Sequence, residues 1–498
     1  MFLSNPWSTP NNDARIISHR GYAIRKDQLT PEQTRKLRTA LTVKPQVAAA
    51  YAAGIEPFPV YYESPSRWYV PRFWGYEHCG QPDGDARQPG LPLRDELQFN
   101  KTLRPEQLPI VNAFKEGDYN GLICVPCGYG KTFMAIWLAC QLRKRFLIVV
   151  HQEFLMEQWR KELEGSIPGI RVGKLQGPKA QLSAEYDCCI CMLQTVASRD
   201  WPTDAFSGFG FAVFDECHHL GAEYFSRALM SIQTKHMLGL SATPDRMDGL
   251  DNVFLWYLGP VRYQIKVREA DDSVEVKVLR FTSEDPAYAD IPMDVRGEVS
   301  RPRLCNQLAE YTPRTKAICD ELEPLLREGR KLLILSDRRL HLEEFEKDFQ
   351  ARGFTSIGYY TGGMKAKDRD ESATQNIVLA TFTLAAEGMN VPALNTVLLA
   401  TPKSRIEQAV GRIFRQKKED RTFHPVIMDV LDSHDIYYPQ FKKRVQFYEQ
   451  CGYQVKIKNP GSANYVPYGK KGGKGKKSGS DGDGGDEQVP AVPMFRKK

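Results

Sequence analysis

Three clusters of chemistry-bearing residues stand out along the chain. The first is Gly128-Tyr129-Gly130-Lys131-Thr132, which follows an apolar run at residues 122–125 and opens a stretch rich in Ala, Leu and Met. Strand, glycine turn and helix start make a cradle for phosphate. Backbone N–H groups and the helix dipole face the anion, Lys131 neutralises its charge, and Thr132 can hold Mg²⁺. The general phosphate-loop pattern has a further glycine where this chain has Val125, so the loop alone also reads as a glycine turn with a solvated lysine. The second cluster, Asp215-Glu216-Cys217-His218, ends the apolar run 211–214 about 85 residues later. At a parallel strand's C-terminal edge, Asp215 can hold Mg²⁺ through water and Glu216 can orient and deprotonate an attacking water. Ser241 and Thr243 follow at another strand end, as hydroxyls able to bond the acidic strand or simply to make the turn before Pro244. In the third cluster, Gln408, Arg412 and Arg415 are spaced to share one face of a helix expected at residues 406–414, with Gly411 permitting close approach. Arginines brought to a phosphoryl group from a separate domain neutralise transition-state charge when the domains close. A solvated basic face is the plain alternative, and it gives no reason for Gln408 or Gly411.

These residues need a scaffold that brings strand ends together. Apolar runs at 122–125, 146–150, 188–192, 211–214 and 237–240 alternate with helical stretches, the rhythm of a doubly wound parallel sheet. A second round has strands at 332–335, 357–360, 377–380, 397–400 and 426–429, with a helix at 341–352. The fold class is therefore α/β, and the organisation reads as an accessory unit at 1–100, one α/β domain at 101–260, a connector at 261–313 holding the strand-like run VEVKVLRF, a second α/β domain at 314–458, and a tail at 459–498 expected to be disordered because it is too polar and glycine-rich to bury a core. In the accessory unit, Thr30-Pro31-Glu32 should cap a helix at 29–41. Residues 59–63 and 67–74 should pair as an aromatic hairpin about Ser64-Pro65-Ser66, and residues 80–92 read as a linker. The arginines among those aromatics could stack on bases, but the favoured reading is that the aromatics form the core of a small accessory domain.

The chain carries a net charge of +7, and residues 469–498, with eight Lys/Arg and four Asp/Glu, hold +4 of it. The body is thus near neutral, and any nucleic-acid surface there must be local. Five lysines between Lys470 and Lys477 could tether phosphates, serve as an import address or merely be solvated. Eleven cysteines, several in buried-strand runs, suit a reducing intracellular compartment and not a disulfide framework. Cys124 and Cys127 have metal-type spacing but run into the phosphate loop, and Cys188, Cys189 and Cys191 lack a second cluster at zinc spacing. The apolar runs are of strand length, too short to span a membrane as helices.

In this order, over residues 103–417, the stretches resemble the motifs of superfamily 2 helicases and translocases. Leu103 to Gln107 resembles the adenine-recognition motif, which implies that Arg104 and Gln107 contact the base. Gly128, Gly130, Lys131 and Thr132 match the phosphate motif, and residues 150–159 match a motif that touches the nucleic-acid backbone, implying such a role for Trp159. Thr195 and Thr381 would do the same. Asp215 to His218 is a DExH box, with His218, Ser241 and Thr243 in the coupling role. Gly388 and Asn390 fall in the motif that meets the nucleotide; Asn390 stands where the family usually has Asp, and an amide can replace that contact by hydrogen bonding. Gln408, Arg412 and Arg415 match the arginine-finger motif. The XPB-like branch is the most similar, and the N-terminal stretches 41–45 and 69–75 resemble the transcript-release helicases of large nucleocytoplasmic DNA viruses. The branch's Arg-Glu-Asp is Arg246-Met247-Asp248 here. The resemblance implies tandem RecA-like domains that use ATP and Mg²⁺ and act on nucleic acid, DNA before RNA, in transcription, repair or recombination. The alternatives are an RNA helicase and an ATP switch that binds nucleic acid without unwinding it.

Overall fold

Runs of consecutive apolar residues can satisfy a strand only where both faces are covered, and the first α/β domain is built on that condition. Every residue of the strands Asn120–Cys124, Phe146–Val150, Cys188–Met192 and Phe211–Phe214 is buried. The structure, a computed structural model, describes residues 14–46, 56–242, 249–266, 270–389, 391, 393–414, 416 and 418–469. Across the first large sheet the order is Lys179–Ala180, Val172–Gln176, Cys188–Met192, Phe146–Val150, Phe211–Phe214, His236–Ser241, Asn120–Cys124 and Val261–Gln264. All pairings but the outermost, Lys179–Ala180, are parallel. The strands that carry the phosphate loop and the acidic pair are separated by one strand, so their C-terminal ends open on one edge.

The sheet's two faces are covered differently. Ile123, Ile148, Ile190, Val213 and Leu238 pack beneath the helices Leu108–Glu116, Lys131–Leu142 and Glu153–Ser166. On the other face Leu122, Leu147, Val149, Ala212 and Phe214 share one core with Tyr22, Trp68, Val70 and Trp74 of the N-terminal unit. The N-terminal unit is a five-stranded sheet ordered Tyr62–Glu63, Arg67–Val70, Gly21–Arg25, Arg15–Ser18 and Gly84–Asp85. Its helix Pro31–Ala40 has the expected cap: Gln33 N–H donates to Thr30 Oγ1 (3.2 Å) and Thr30 N–H to Gln33 Oε1 (2.8 Å). The hairpin about Ser64 is present, with Tyr62 opposite Tyr69 and Glu63 opposite Trp68.

Two expectations need correction here, and the favoured reading of the aromatics holds. The strand expected to run to Trp74 stops at Val70, and Arg72–Cys79 is a helix, because Pro71 offers no ladder N–H and can start a helix. Residues 80–92 are anchored and not a free linker. Gly84–Asp85 pairs with Arg15–Ser18, and Arg87 grips Asp85 (2.8 Å) and the Thr234 carbonyl (2.8 Å). The aromatics form core, with Trp68 and Trp74 buried, and the buried Arg72 serves structure: it donates to Asn120 Oδ1 (2.6 Å) at the foot of the phosphate-loop strand and to the Lys235 carbonyl (3.0 Å).

The second sheet runs Ile357–Tyr360, Ile377–Thr381, Leu332–Ser336, Thr396–Leu399, Val426–Asp432, Glu275–Phe281, Gln454–Lys458 and Val466–Pro467. The connector's strand, Glu275–Phe281, is thus an inner strand of this sheet, parallel to both neighbours. Residues 459–469, expected to be disordered, are placed. Val466–Pro467 pairs antiparallel with Gln454–Lys458, the Tyr465 hydroxyl donates to Glu321 (2.9 Å) and Tyr468 packs against the second domain's core, so two aromatic residues and a short strand hold a stretch whose average composition is polar. The lysine cluster from Lys470 lies outside the described residues. Two buried ion pairs tie helices to the strand Val426–Asp432. Arg314 chelates Asp432 (2.6 and 2.9 Å), and Arg444 meets Asp429 (2.8 Å), which also accepts from the Tyr448 hydroxyl (2.9 Å). Removing one partner of such a pair typically costs about 3–5 kcal/mol, because the other charge is left buried and unpaired.

Candidate active site

The strand Asn120–Cys124 delivers the chain into a loop where Gly128 and Gly130 take φ of 92° and 78°. A Cβ on Gly130 would overlap the Gln107 amide nitrogen, so the left-handed turn and the close approach both require glycine. Lys131 then begins the helix Lys131–Leu142, whose first N–H groups have no intrahelical acceptor. This is an anion cradle by construction.

Asp215 and Glu216 leave the end of Phe211–Phe214 beside it. Glu216 is held at φ 46°, ψ 52°, a left-handed conformation that costs a non-glycine residue on the order of 1–3 kcal/mol and that gathers at functional sites. Lys131 Nζ stands 3.5 Å from Glu216 Oε1, while buried Glu216 Oε2 has no hydrogen-bond partner among the described residues. Asp215 Oδ2 accepts from Trp159 Nε1 (2.8 Å), and Asp215 Oδ1 from the Glu216 N–H (3.0 Å). Burial and then the Glu216 charge raise the Asp215 pKa. Burial pushes Glu216 upward too, but Lys131 and the neighbouring histidines outweigh it and hold Glu216 below its ordinary value. Burial opposes the Lys131 charge, yet Glu216 more than offsets it and the lysine pKa rises. Lys131 and Glu216 are therefore charged at neutral pH, and Glu216 Oε2 accepts no hydrogen bond among the described residues.

A cleft of about 400 Å³ collects these groups with Arg104, Gln107, Thr132, Phe133 and Arg412. Arg412 comes from the second domain. Its Nη1 donates to the Met389 carbonyl (2.9 Å), and Gly411 beside it comes so near the phosphate loop that an added Cβ would stand 3.3 Å from Cys127 Cβ. The expected helix at 406–414 is a single α-turn, Glu407–Val410, followed by the 3₁₀ turn Gly411–Phe414. Its tighter winding, with three residues per turn, brings Gly411 and Arg412 to the cleft while Gln408 is not among the residues lining it.

The remaining candidates divide clearly. Trp159 is corrected: it is 2% exposed and serves Asp215, so it cannot touch a nucleic-acid backbone. Thr195 is buried, and its hydroxyl accepts from the Gly177 N–H (3.0 Å). Thr381 ends the strand Ile377–Thr381, half-buried, and Gly388 ends the helix Phe382–Gly388. Thr243, Asn390 and Arg415 lie outside the described residues. His218 Nδ1 stands 3.1 Å from Ser241 Oγ and 3.5 Å from Glu216 Oε2, so the expected link from acidic pair to serine is made. Burial brings the His218 pKa down to about 4, leaving the ring neutral at pH 7. Sequence reasoning missed the imidazole stack behind it: His219 lies 4.4 Å from His218 and 4.0 Å from His151, ring centre to ring centre, and the His151 carbonyl accepts from Gln194 Nε2 (2.8 Å). Adjacent histidines after an acidic pair were the available signal, but His151 is distant in sequence.

The donor set fits Mg²⁺ with a polyphosphate. Thr132 and Asp215 supply hard oxygens at the mouth of the cradle, and the ion's other positions would fall to water and phosphate.

Comparison with known proteins agrees with this geometry. Residues 100–246 match the family described as type III restriction enzyme, res subunit, and residues 313–417 match the helicase conserved C-terminal domain. A protein of Acanthamoeba polyphaga mimivirus that carries the name of an ATP-dependent RNA helicase is 30% identical, over 90% of this chain and 87% of its own. An African swine fever virus protein with the same type of name is 26% identical over 68% of this chain and 71% of its own. An Escherichia phage T5 protein named as a helicase is 23% identical over 76% of this chain and 80% of its own.

Proposed function

The chain belongs to the superfamily 2 helicases and resembles those of large DNA viruses, and from that premise we propose that it is a DNA translocase or helicase whose ATP hydrolysis is stimulated by the strand it moves along. One observation carries the catalytic part: Lys131, Asp215 and Glu216 of the first domain and Arg412 of the second line a single cleft. Lys131 and the loop N–H groups bind the outer phosphates. Thr132 and Asp215 would hold Mg²⁺, which when bound would supply positive charge to offset that of the triphosphate. Glu216 Oε2, anionic, 3.5 Å from His218 Nδ1 and accepting no hydrogen bond among the described residues, accepts a hydrogen bond from the attacking water and takes its proton. Arg412 neutralises charge that develops only as the bond breaks.

Coupling runs from Glu216 through His218 to Ser241, so loss of the terminal phosphate alters the partner of a histidine bound to the neighbouring strand. The nucleic acid would cross the C-terminal strand edges, held by backbone phosphates and hence with little sequence preference. DNA is favoured by the match to a restriction-enzyme subunit and by the resemblance to the XPB-like branch; the names carried by the mimivirus and swine fever virus relatives favour RNA as the second reading. ATPase rates with duplex DNA, single-stranded DNA and RNA test the choice, with strand displacement and triplex displacement assayed alongside. Stimulation by DNA tenfold or more above RNA is the expected outcome. Greater stimulation by RNA would transfer the function to the second reading.

A further inference from the structure

We propose that Arg369 of the second domain is a positioning residue for hydrolysis: it clasps Phe154 of the first domain and so sets the closed arrangement in which Arg412 reaches the phosphate cleft. This rests on the ATPase reading above. The helix Glu153–Ser166 is the element that both the cleft and the second domain touch. Its residues Leu155, Trp159 and Glu162, spaced by four and three, line the cleft, and Trp159 holds Asp215 there. Phe154 and Lys161, seven residues apart and so on one face, both meet the second domain instead. Phe154 packs against the apolar cores of the two domains at once.

The other side of the clasp is the helix Ala366–Ser372, which follows the strand Ile357–Tyr360 at the edge of the second sheet. Arg369 on that helix presents its guanidinium to two rings, Phe154 (5.5 Å to the ring centre) and Tyr360 (6.0 Å). It forms no ion pair among the described residues, so its charge is spent on the electron-rich ring faces. A planar guanidinium suits such stacking better than an ammonium does. Burial raises the Tyr360 pKa, and the charges of Arg369 and then Arg412 oppose that rise, so both guanidiniums act on one hydroxyl. Tyr360 thus joins clasp to finger within the second domain, and Phe154 joins them to the first. Lys161 Nζ adds a contact to Asp370 Oδ2 (3.1 Å), but both side chains are exposed, so that pair is screened and secondary. Arg369 is half-buried at the seam and belongs to neither apolar core. Its removal should therefore disturb the approach of the domains and leave the packing of each intact.

The test is a mutant cycle on the full-length protein, read as single-turnover hydrolysis of ATP with nucleic acid present. Arg369→Ala should lower the maximal rate about tenfold, the size of a partly desolvated cation–π contact. The ATP concentration giving half that rate should move less than about twofold, because the cradle lies in the first domain. Phe154→Leu keeps an apolar contact and removes the ring, so it should cause a similar loss. The double variant should lose no more than either single one; losses that multiply would overturn the proposal. In an Arg412→Ala background, Arg369→Ala should have no further effect, because the finger it positions is gone. A merely structural role predicts the same tenfold fall in both backgrounds, and that result also overturns it. An unchanged rate for Arg369→Ala would remove this proposal and leave the ATPase reading intact, while absence of hydrolysis by the unaltered protein would remove both.

Discussion

The two halves of the cleft are built in opposite ways. In the first domain, Lys131, Asp215 and Glu216 stand at the ends of fully buried parallel strands and brace one another: Lys131 against Glu216, Trp159 against Asp215, Gln107 against the phosphate loop. In the second domain, the contribution is Arg412 on a four-residue 3₁₀ turn, where its Nη1 donates to the Met389 carbonyl and Gly411 brings it close to the phosphate loop. The first half is a preformed receptor, and the second completes it by approach. Binding and hydrolysis should therefore separate by mutation.

The largest effect belongs to the first half. Glu216→Gln removes the proton acceptor yet keeps the cradle, so steady-state hydrolysis should be abolished while a labelled ATP analogue still binds. Near-normal turnover would refute the site. Arg412→Ala should lower turnover by about 10³ or more, with ATP affinity changed far less, since a finger acts on the transition state. Equal losses in affinity and turnover would mean that both halves bind ground-state nucleotide, and the contrast would fail.

Trp159→Phe is the third and sharper probe. It keeps an aromatic, though smaller, side chain and deletes the N–H that orients Asp215, so the Mg²⁺ needed for half-maximal activity should rise about 10–100-fold, the usual range for a group that positions a metal ligand. Nucleic-acid affinity should not move; if it falls instead, Trp159 is not confined to the Asp215 site.

The smallest effect is one of stability, and here the halves resemble each other. Each holds a neutral histidine against a strand-end serine, half-buried His218 with Ser241 and buried His341 with Ser336 (both 3.1 Å). Burial lowers both pKa values, His218 to about 4. With the folded value below the unfolded one, the unfolded chain binds the extra proton first. Stability is therefore lost as pH falls from about 6.5 toward 4 and levels off below that. At pH 5 the His218 share is about 2 kcal/mol. Denaturation of His218→Gln at pH 7.5 and pH 5 should show that much less acid sensitivity in the first domain; an unchanged pH slope would place the titration elsewhere.

Much of the first half was legible in the sequence because its signals are local. A glycine turn after an apolar run can do little but bend into a helix, and unbroken runs such as Phe146–Val150 require cover on both faces, which makes the strands parallel and sets Asp215 and Lys131 on one edge. Thr30 with Gln33 likewise encodes a helix start within four residues. Spacing could not say how Gln408 to Arg412 is wound. A 3.6-residue period and a 3₁₀ turn predict different faces, and contact with the phosphate loop decides between them.

Other features depend on residues far apart in the chain. The Trp159 N–H reaches Asp215 across 56 positions, and Arg72 reaches Asn120 across 48. The N-terminal aromatics share a core with the first sheet, and the connector's strand enters the second sheet between Val426–Asp432 and Gln454–Lys458. Composition and periodicity by themselves determined which residues could hold phosphate, metal and water, since those depend on side-chain chemistry and neighbours along the chain. Which of them touch, which are spent on bracing and which stay free for substrate was decided by tertiary structure, because a hydrogen bond made across the fold removes a donor or acceptor that the sequence still shows as available.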